Sequence, residues 1–331
     1  PHQPREPMII LSESDVRALL PMRDLITAMR AALTSFSTGR VQQPLRTILE
    51  VDSKAFFGVM PAYLPDSGAL GSKLVTVFGS NLERGLPSHI ATIVLLDSTT
   101  GEMRALMDGR YITEARTAAV SAVSAQLLSR ADAATLALIG TGVQARSHLE
   151  ALNLVRELRE VRVWSPTPSH REAFADEATR LVPARVEAAA SAEAAVSGAD
   201  LIALVSSSRE PVVRSDWISD GAHVCAVGAC RPDQREMDSS LVQRARLFVD
   251  SRVAALAEAG DILIPIKEGV IDAEHIAGEL GEVAAGTIPG RTAASDVTLF
   301  KSLGMAVEDV AAAHLALQKA AVRGLGRGIV M

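Results

Sequence analysis

Apolar positions along this chain fall into three textures, and each predicts a different kind of structure. From Ser12 to Phe36 the period is helical. Ser12 with Asp15 three positions on reads as a capping box, and Pro21 suits the first turn of a second helix. On that helix Met22, Leu25, Ile26, Met29, Leu33 and Phe36 share a face, and Gly39 closes it. Between about Thr47 and Asp108 the spacing shortens to strand-like runs: Phe56 to Met60, Leu70 to Phe78, Ile90 to Leu96 and Met103 to Met107. Asp97 to Gly101 is a hairpin loop between the last two. An antiparallel sheet with a helical pair before it is the expectation.

A small-residue helix, roughly Thr113 to Leu128, leads into the third texture, in which buried strands alternate with helical stretches. The strands are Thr135 to Ile139, Val161 to Trp164, Leu201 to Val205, His223 to Val227 and Leu247 to Val249. That alternation predicts βαβ units and a parallel sheet. An Ala-rich helix, about Met305 to Val322, follows and is expected to return to the first domain.

The sharpest local signal is the run from Thr135 to Ala145, an apolar strand ending in Gly140-Thr141-Gly142-Val143-Gln144-Ala145. In G-x-G-x-x-A, Gly140 allows the tight turn and Gly142 lets backbone approach a pyrophosphate. Ala145 permits close packing, and the helix N-terminus faces the phosphate charge. Alone, such a turn reads equally as an ordinary strand-to-helix corner; before several further βα units it reads as dinucleotide binding. Val205 and Ser206, and Val227 and Gly228, at the ends of later strands, join the candidate cofactor set. The strand Val161–Trp164 leads to Ser165 where NAD-specific folds carry Asp or Glu. With no carboxylate there, and with Thr167, Ser169 and Arg171 just beyond, NADP is the preferred cofactor and NAD the second choice.

Composition narrows the function classes. Of 331 residues, 48% are apolar and 22% charged, which excludes global disorder. The net charge of -6 disfavours a nucleic-acid surface. Cys225 and Cys230 are the only cysteines, so a disulfide framework is excluded and no C-x-x-C pair exists. The stretch Pro1 to Met8 is polar and Pro-rich with no signal-like segment behind it, and no run reaches membrane-spanning length. A cytoplasmic protein with no nucleic-acid or membrane partner is expected. The histidines are scattered and no H-E-x-x-H occurs, so no metal site is expected.

Five segments together resemble the ornithine cyclodeaminase and mu-crystallin family: Met107-Asp108-Gly109, Thr113 to Ala122, Gly140 to Ala145, Ala226 to Asp238, and Thr298 to Asp309. The resemblance is strongest to the mu-crystallin-like ketimine reductase branch, which also shows Pro-Ser-His, here Pro87-Ser88-His89. It implies an α/β protein with a Rossmann-type doubly wound parallel sheet plus an α+β substrate-binding and dimerisation domain. The expected boundaries are 1–118, joined by about 305–331, for the latter and 119–304 for the former.

The resemblance also assigns roles. Arg46 matches an arginine that clamps the substrate carboxylate, a task suited to a planar guanidinium. Lys73 matches a lysine beside the substrate; independently, it interrupts an otherwise apolar strand, and buried lysines rarely lack a task. Arg116 matches a residue where cofactor and substrate pockets meet, Ser302 a serine near the nicotinamide, and His89 is a candidate for the substrate pocket. One departure stands out. Cyclodeaminases place an aspartate directly after Ala-Val-Gly-x, where this chain has Cys230.

Reduction of small cyclic α-imino acids in a homodimer, giving L-proline or L-pipecolate, is therefore the expected activity. Alanine dehydrogenase-like chemistry on a keto acid, ornithine cyclodeamination, and a non-catalytic NADP-binding regulator are the alternatives.

Overall fold

The computed structural model describes residues 7–330, the Leu82 side chain excepted; the polar leading stretch from Pro1 to Glu6 lies outside the described residues. In chain order the elements are β1 (Met8–Leu11), α1 (Glu13–Leu19), α2 (Met22–Ser37), β2 (Thr47–Asp52), β3 (Ala55–Leu64), β4 (Ala69–Phe78), β5 (His89–Leu96), β6 (Met103–Asp108) and α3 (Arg110–Leu128). Then come β7 (Thr135–Ile139), α4 (Val143–Asn153), β8 (Glu160–Trp164), α5 (Pro168–Ala178), β9 (Arg185–Ala188), α6 (Ala192–Val196) and β10 (Leu201–Leu204). Next are β11 (His223–Ala226), α7 (Ser239–Arg244), β12 (Arg246–Val249), α8 (Arg252–Glu258), α9 (Gly260–Lys267), β13 (Ile276–Glu279), α10 (Leu280–Ala285) and β14 (Thr298–Lys301). The chain ends with α11 (Ala306–Arg323) and β15 (Arg327–Ile329). Two compact units result: residues up to Arg116 together with those from Met305 onward, and Thr117–Gly304. The first boundary falls inside α3, two residues before the expected 118.

The first unit is a seven-stranded sheet, order β15-β1-β6-β5-β4-β3-β2. Its strands β2 to β6 are antiparallel, but β1 pairs parallel to β6, a contact the periodicity did not predict. The Ser12 capping box forms as read. Pro21, however, is the N-cap residue of α2 rather than part of its first turn, its carbonyl accepting from Asp24 and Leu25. Buried residues alternate with less buried ones from Gly58 to Leu64 in β3, from Ala69 to Lys73 in β4 and from Ala91 onward in β5, and α11 and α2 supply the helical layer, α11 lying on those three strands. α3 begins at Arg110, earlier than its apolar run suggests, because the Asp108 carboxylate accepts from the Arg110 and Tyr111 amides.

The second unit is an eight-stranded sheet, order β13-β12-β14-β11-β10-β7-β8-β9, with every pairing parallel. This is the doubly wound fold expected, with β9, β13 and β14 in addition to the five strands read from the sequence. The order reverses direction beside β7, so β7 and β10 flank the switch point where such sheets take ligands, at the carboxyl ends of their strands.

Candidate active site

Within the first unit, the alternation of β4 turns Lys73 to the covered face, where it is 2% exposed. Its Nζ lies 2.6 Å from the Asp309 carboxylate and 3.5 Å from Thr113 Oγ1. Arg116, on α3 and also buried, donates from Nε to the same Asp309 carboxylate at 2.9 Å and from Nη1 to Glu308 at 2.5 Å. Glu308 and Asp309 occupy the first turn of α11, where free backbone amides favour negative charge, and both are 0% exposed. The Gln43 side chain accepts from the Val307 amide at 2.7 Å, tying the segment that carries Arg46 to the same helix end.

The electrostatics follow from this crowding. Burial pushes the Lys73 ammonium down to about 8, with the charges of Arg116 and Arg46 adding to the fall and Asp309 opposing it. Burial alone would raise the Asp309 carboxyl, but Arg116 and Lys73 hold it below the usual range. His89, at the start of β5, is pushed down to about 4 by burial and by Lys73 and Arg116, so it is a neutral imidazole near pH 7. Lys73, Arg116 and Arg46 against Glu308 and Asp309 leave one positive charge in excess. A charge group of that balance suits a monoanion. Arg46, Lys73, Arg116 and His89 are thus brought into one electrostatic neighbourhood. Glu308 and Asp309 stood inside a family-like segment but drew no role, since acids opening a helix ordinarily serve only its dipole.

In the second unit the cofactor candidates follow the carboxyl ends of parallel strands. After β7, Gly140 adopts φ +130°, and a Cβ there would meet the Val205 carbonyl oxygen at 2.7 Å. Gly142 is the N-cap of α4 with nothing within 4 Å of where a Cβ would be, and no side chain caps that helix end. Thr141 is half-buried and Val143 exposed, while Ala145 is fully buried under the turn. The Gln144 side-chain oxygen is buried without a partner among the described residues. After β8, buried Ser165 donates through Oγ to the Thr167 carbonyl, and half-buried Arg171 folds back to donate to the Ser165 carbonyl at 3.2 Å. These residues fit a dinucleotide: a bare turn and an open helix end for the pyrophosphate, and a cation with no carboxylate after β8.

The amides of Ser206 and Gly228 both donate to the carboxylate of Glu236, at 2.7 Å each. Val205 and Val227 are held by backbone bonds, from the Val205 amide to the Ile139 carbonyl and from the Val227 amide to that of Leu204. Ser302, after β14, is buried, its Oγ without a partner among the described residues. Cys230 is exposed, and Asp233 is exposed and paired with Arg231 at 3.7 Å.

A sequence model of the ornithine cyclodeaminase/mu-crystallin family matches residues 6–323. Ketimine reductase mu-crystallin of Mus musculus is 42% identical over 94% of this chain and 96% of its own length. The Δ1-pyrroline-2-carboxylate reductase of Thermococcus litoralis, solved with NADH and L-proline, superposes with a TM-score of 0.94 at 41% identity, covering 97% of this chain and 100% of that one. An archaeal alanine dehydrogenase dimer with bound NAD superposes with a TM-score of 0.93 at 30% identity, covering 98% and 99%.

Proposed function

Because the chain belongs to the ornithine cyclodeaminase/mu-crystallin family, we propose that it is a nicotinamide-dinucleotide-dependent reductase of small cyclic α-imino acids. Δ1-pyrroline-2-carboxylate and Δ1-piperideine-2-carboxylate are the substrates, L-proline and L-pipecolate the products. The observation that carries this reading is the buried Lys73–Asp309–Arg116 cluster with its single excess positive charge. The likeness to a reductase solved with NADH and L-proline supports it.

Arg46 holds the substrate carboxylate through two parallel N–H bonds, fixing the adjacent carbon. Arg116, already spent in part on Glu308 and Asp309, adds positive potential and keeps Asp309 in place. Lys73, charged below about pH 8, donates a proton from Nζ to the ring nitrogen as the C=N bond is reduced. Neutral His89 borders the same group without adding charge. Gly140, Thr141, Gly142, Val143 and Gln144 would hold the pyrophosphate, and Ser302 would serve the nicotinamide end. When bound, the reduced nicotinamide supplies the hydride.

The lack of a carboxylate after β8, together with Arg171, favours NADPH over NADH. The outward face of the first sheet leaves Leu49 and Ile90 exposed and Phe57, Val59, Leu74 and Val94 half-buried, a face suited to a second copy in a homodimer. A cytoplasmic location is the reading for an enzyme whose two cysteines, Cys225 and Cys230, are not joined in a disulfide; among the described residues no helix is long and apolar enough to cross a membrane.

Reversible amino-acid dehydrogenation is the second reading, favoured by the likeness to the alanine dehydrogenase. The two separate on substrate. Preformed cyclic imine alone should oxidise the cofactor, whereas the dehydrogenase needs pyruvate with free ammonia. Dinucleotide absorbance followed with each substrate set decides between them, and activity only with pyruvate and ammonia would overturn the reductase reading.

A further inference from the structure

The second unit buries a charged group that the chemistry above does not use. Glu236, in the segment between β11 and α7, is 0% exposed. One of its carboxylate oxygens accepts from the amide and the hydroxyl of Ser206, each at 2.7 Å. The other accepts from the amides of Gly228 at 2.7 Å and Ala229 at 3.3 Å. Ser206 follows β10 and Gly228 follows β11, so one side chain fastens together two neighbouring loops at the ligand-binding edge of the sheet. The loops are in close contact: a Cβ at Gly228 would run into the Ser206 carbonyl oxygen and the Glu236 carboxylate.

Glu236 is itself held. Its amide donates to Asp261 at 2.8 Å; Asp261 pairs with the buried Lys301 of β14 at 2.8 Å; and Lys301 reaches the Ala229 carbonyl at 2.5 Å. The bonds thus close a ring through Ala229. Burial raises the Glu236 carboxyl to about 7, the Asp261 charge adding to the rise while Lys301 and Ser206 oppose it. An apolar cluster would hold two loops at lower desolvation cost. Only a carboxylate accepts four donors from two directions, which fixes where each backbone segment lies.

We propose that Glu236 is a positioning residue for the dinucleotide, setting the wall formed by the loops after β10 and β11. The inference rests on the dinucleotide reading above. Glu236 touches neither reacting atom; it acts through Ser206, Gly228 and Ala229.

Glu236→Gln tests it. The amide keeps one acceptor oxygen and turns an NH2 toward a backbone donor, so one loop is released. Calorimetric titration with NAD+ and NADP+ should show the better-bound nucleotide weakened at least tenfold, with its KM rising in parallel. KM for the cyclic imino acid should stay within twofold of the parent value. Unchanged nucleotide affinity in a variant that melts cooperatively would overturn the proposal, as would equal increases in both KM values. Should that variant fail to fold, Ser206→Ala carries the test, because it removes one of the four donors and leaves the carboxylate in place. A nucleotide Kd raised two- to fivefold supports the assignment, and an unaltered one refutes it. A parent protein that binds neither nucleotide would instead refute the dinucleotide reading itself.

Discussion

Asp309 holds two cations at once, Lys73 at 2.6 Å and Arg116 at 2.9 Å, and all three side chains are shut off from solvent. The lysine therefore keeps its proton against a burial penalty that already brings it down to about 8. With Lys73 as the proposed acid, kcat/KM should fall as pH rises through about 8. Asp309→Asn removes the charge that opposes the fall. The alkaline limb should then move to lower pH, and turnover at neutral pH should drop about 100-fold, the scale of general-acid catalysis. A pH–rate profile of both proteins checks this; an unmoved limb would detach Asp309 from Lys73's role.

Lys73→Met keeps the stem and deletes the charge. Turnover should fall by roughly 10²- to 10⁴-fold while nucleotide affinity is retained, because the nucleotide candidates belong to the other unit. Single-turnover kinetics beside calorimetry separates the two quantities, and near-parent rates would remove Lys73 from the mechanism.

Arg46→Met should act on the substrate side alone. Losing a charged bidentate pair is worth about 1.5–3 kcal/mol, or roughly 10- to 100-fold in kcat/KM. Steady-state kinetics with varied imino acid gives the number, and an unchanged KM would show that another group holds the carboxylate.

Gly140→Ala places a methyl group against the Val205 carbonyl at a φ of +130° that alanine rarely adopts. The variant should lose nucleotide binding and melt at lower temperature. Gly142→Ala, with open space around its Cβ position, should melt like the parent yet bind nucleotide more weakly. Thermal melts with and without NADP+ distinguish strain from obstruction.

Acid should destabilise the fold before most carboxylates titrate. Burial is the leading cause that lowers His89 and His148 to about 4 and His223 to about 3, so their folded-state values lie below that of a free imidazole. Between about pH 6.5 and 4 the unfolded chain binds protons that the folded one refuses, and stability falls with pH by about 1.4 kcal/mol per unit for each imidazole. Glu236, raised to about 7, works with the opposite sign between 4.5 and 7, because there the folded state binds the extra proton. It offsets about one imidazole. Urea midpoints should therefore decline from pH 6.5 to 4.5, and less steeply in His148→Asn; a flat or rising trend would contradict this balance.

Much of the fold was legible because its signals are local. The turn at Gly140 follows an apolar strand and opens a helix, and only glycine tolerates its geometry. β14 is masked in the sequence because it ends in Lys301, a cation whose buried partner Asp261 lies forty positions away. The start of α3 was misread because its cap comes from Asp108, ahead of the apolar run.

The site divides in the same way. Lys73 declared itself by breaking an apolar strand, whereas Arg46 and Ser302 were visible only through the family resemblance. Asp309, Glu308 and Glu236 carry no spacing signature at all. Their work depends on partners that long-range contacts bring to them, which periodicity cannot report.

The proposed reaction transfers hydride to the carbon beside an anchored carboxylate. Incubation of the protein with Δ1-pyrroline-2-carboxylate and NADPH or NADH deuterated at the transferable C4 position, followed by mass spectrometry and NMR of the product, tests it most directly. One deuterium at Cα of L-proline, formed mole for mole with oxidised dinucleotide, is the predicted result. Tight nucleotide binding with no deuterated proline, and none in pipecolate when the six-membered imine is supplied, would contradict it.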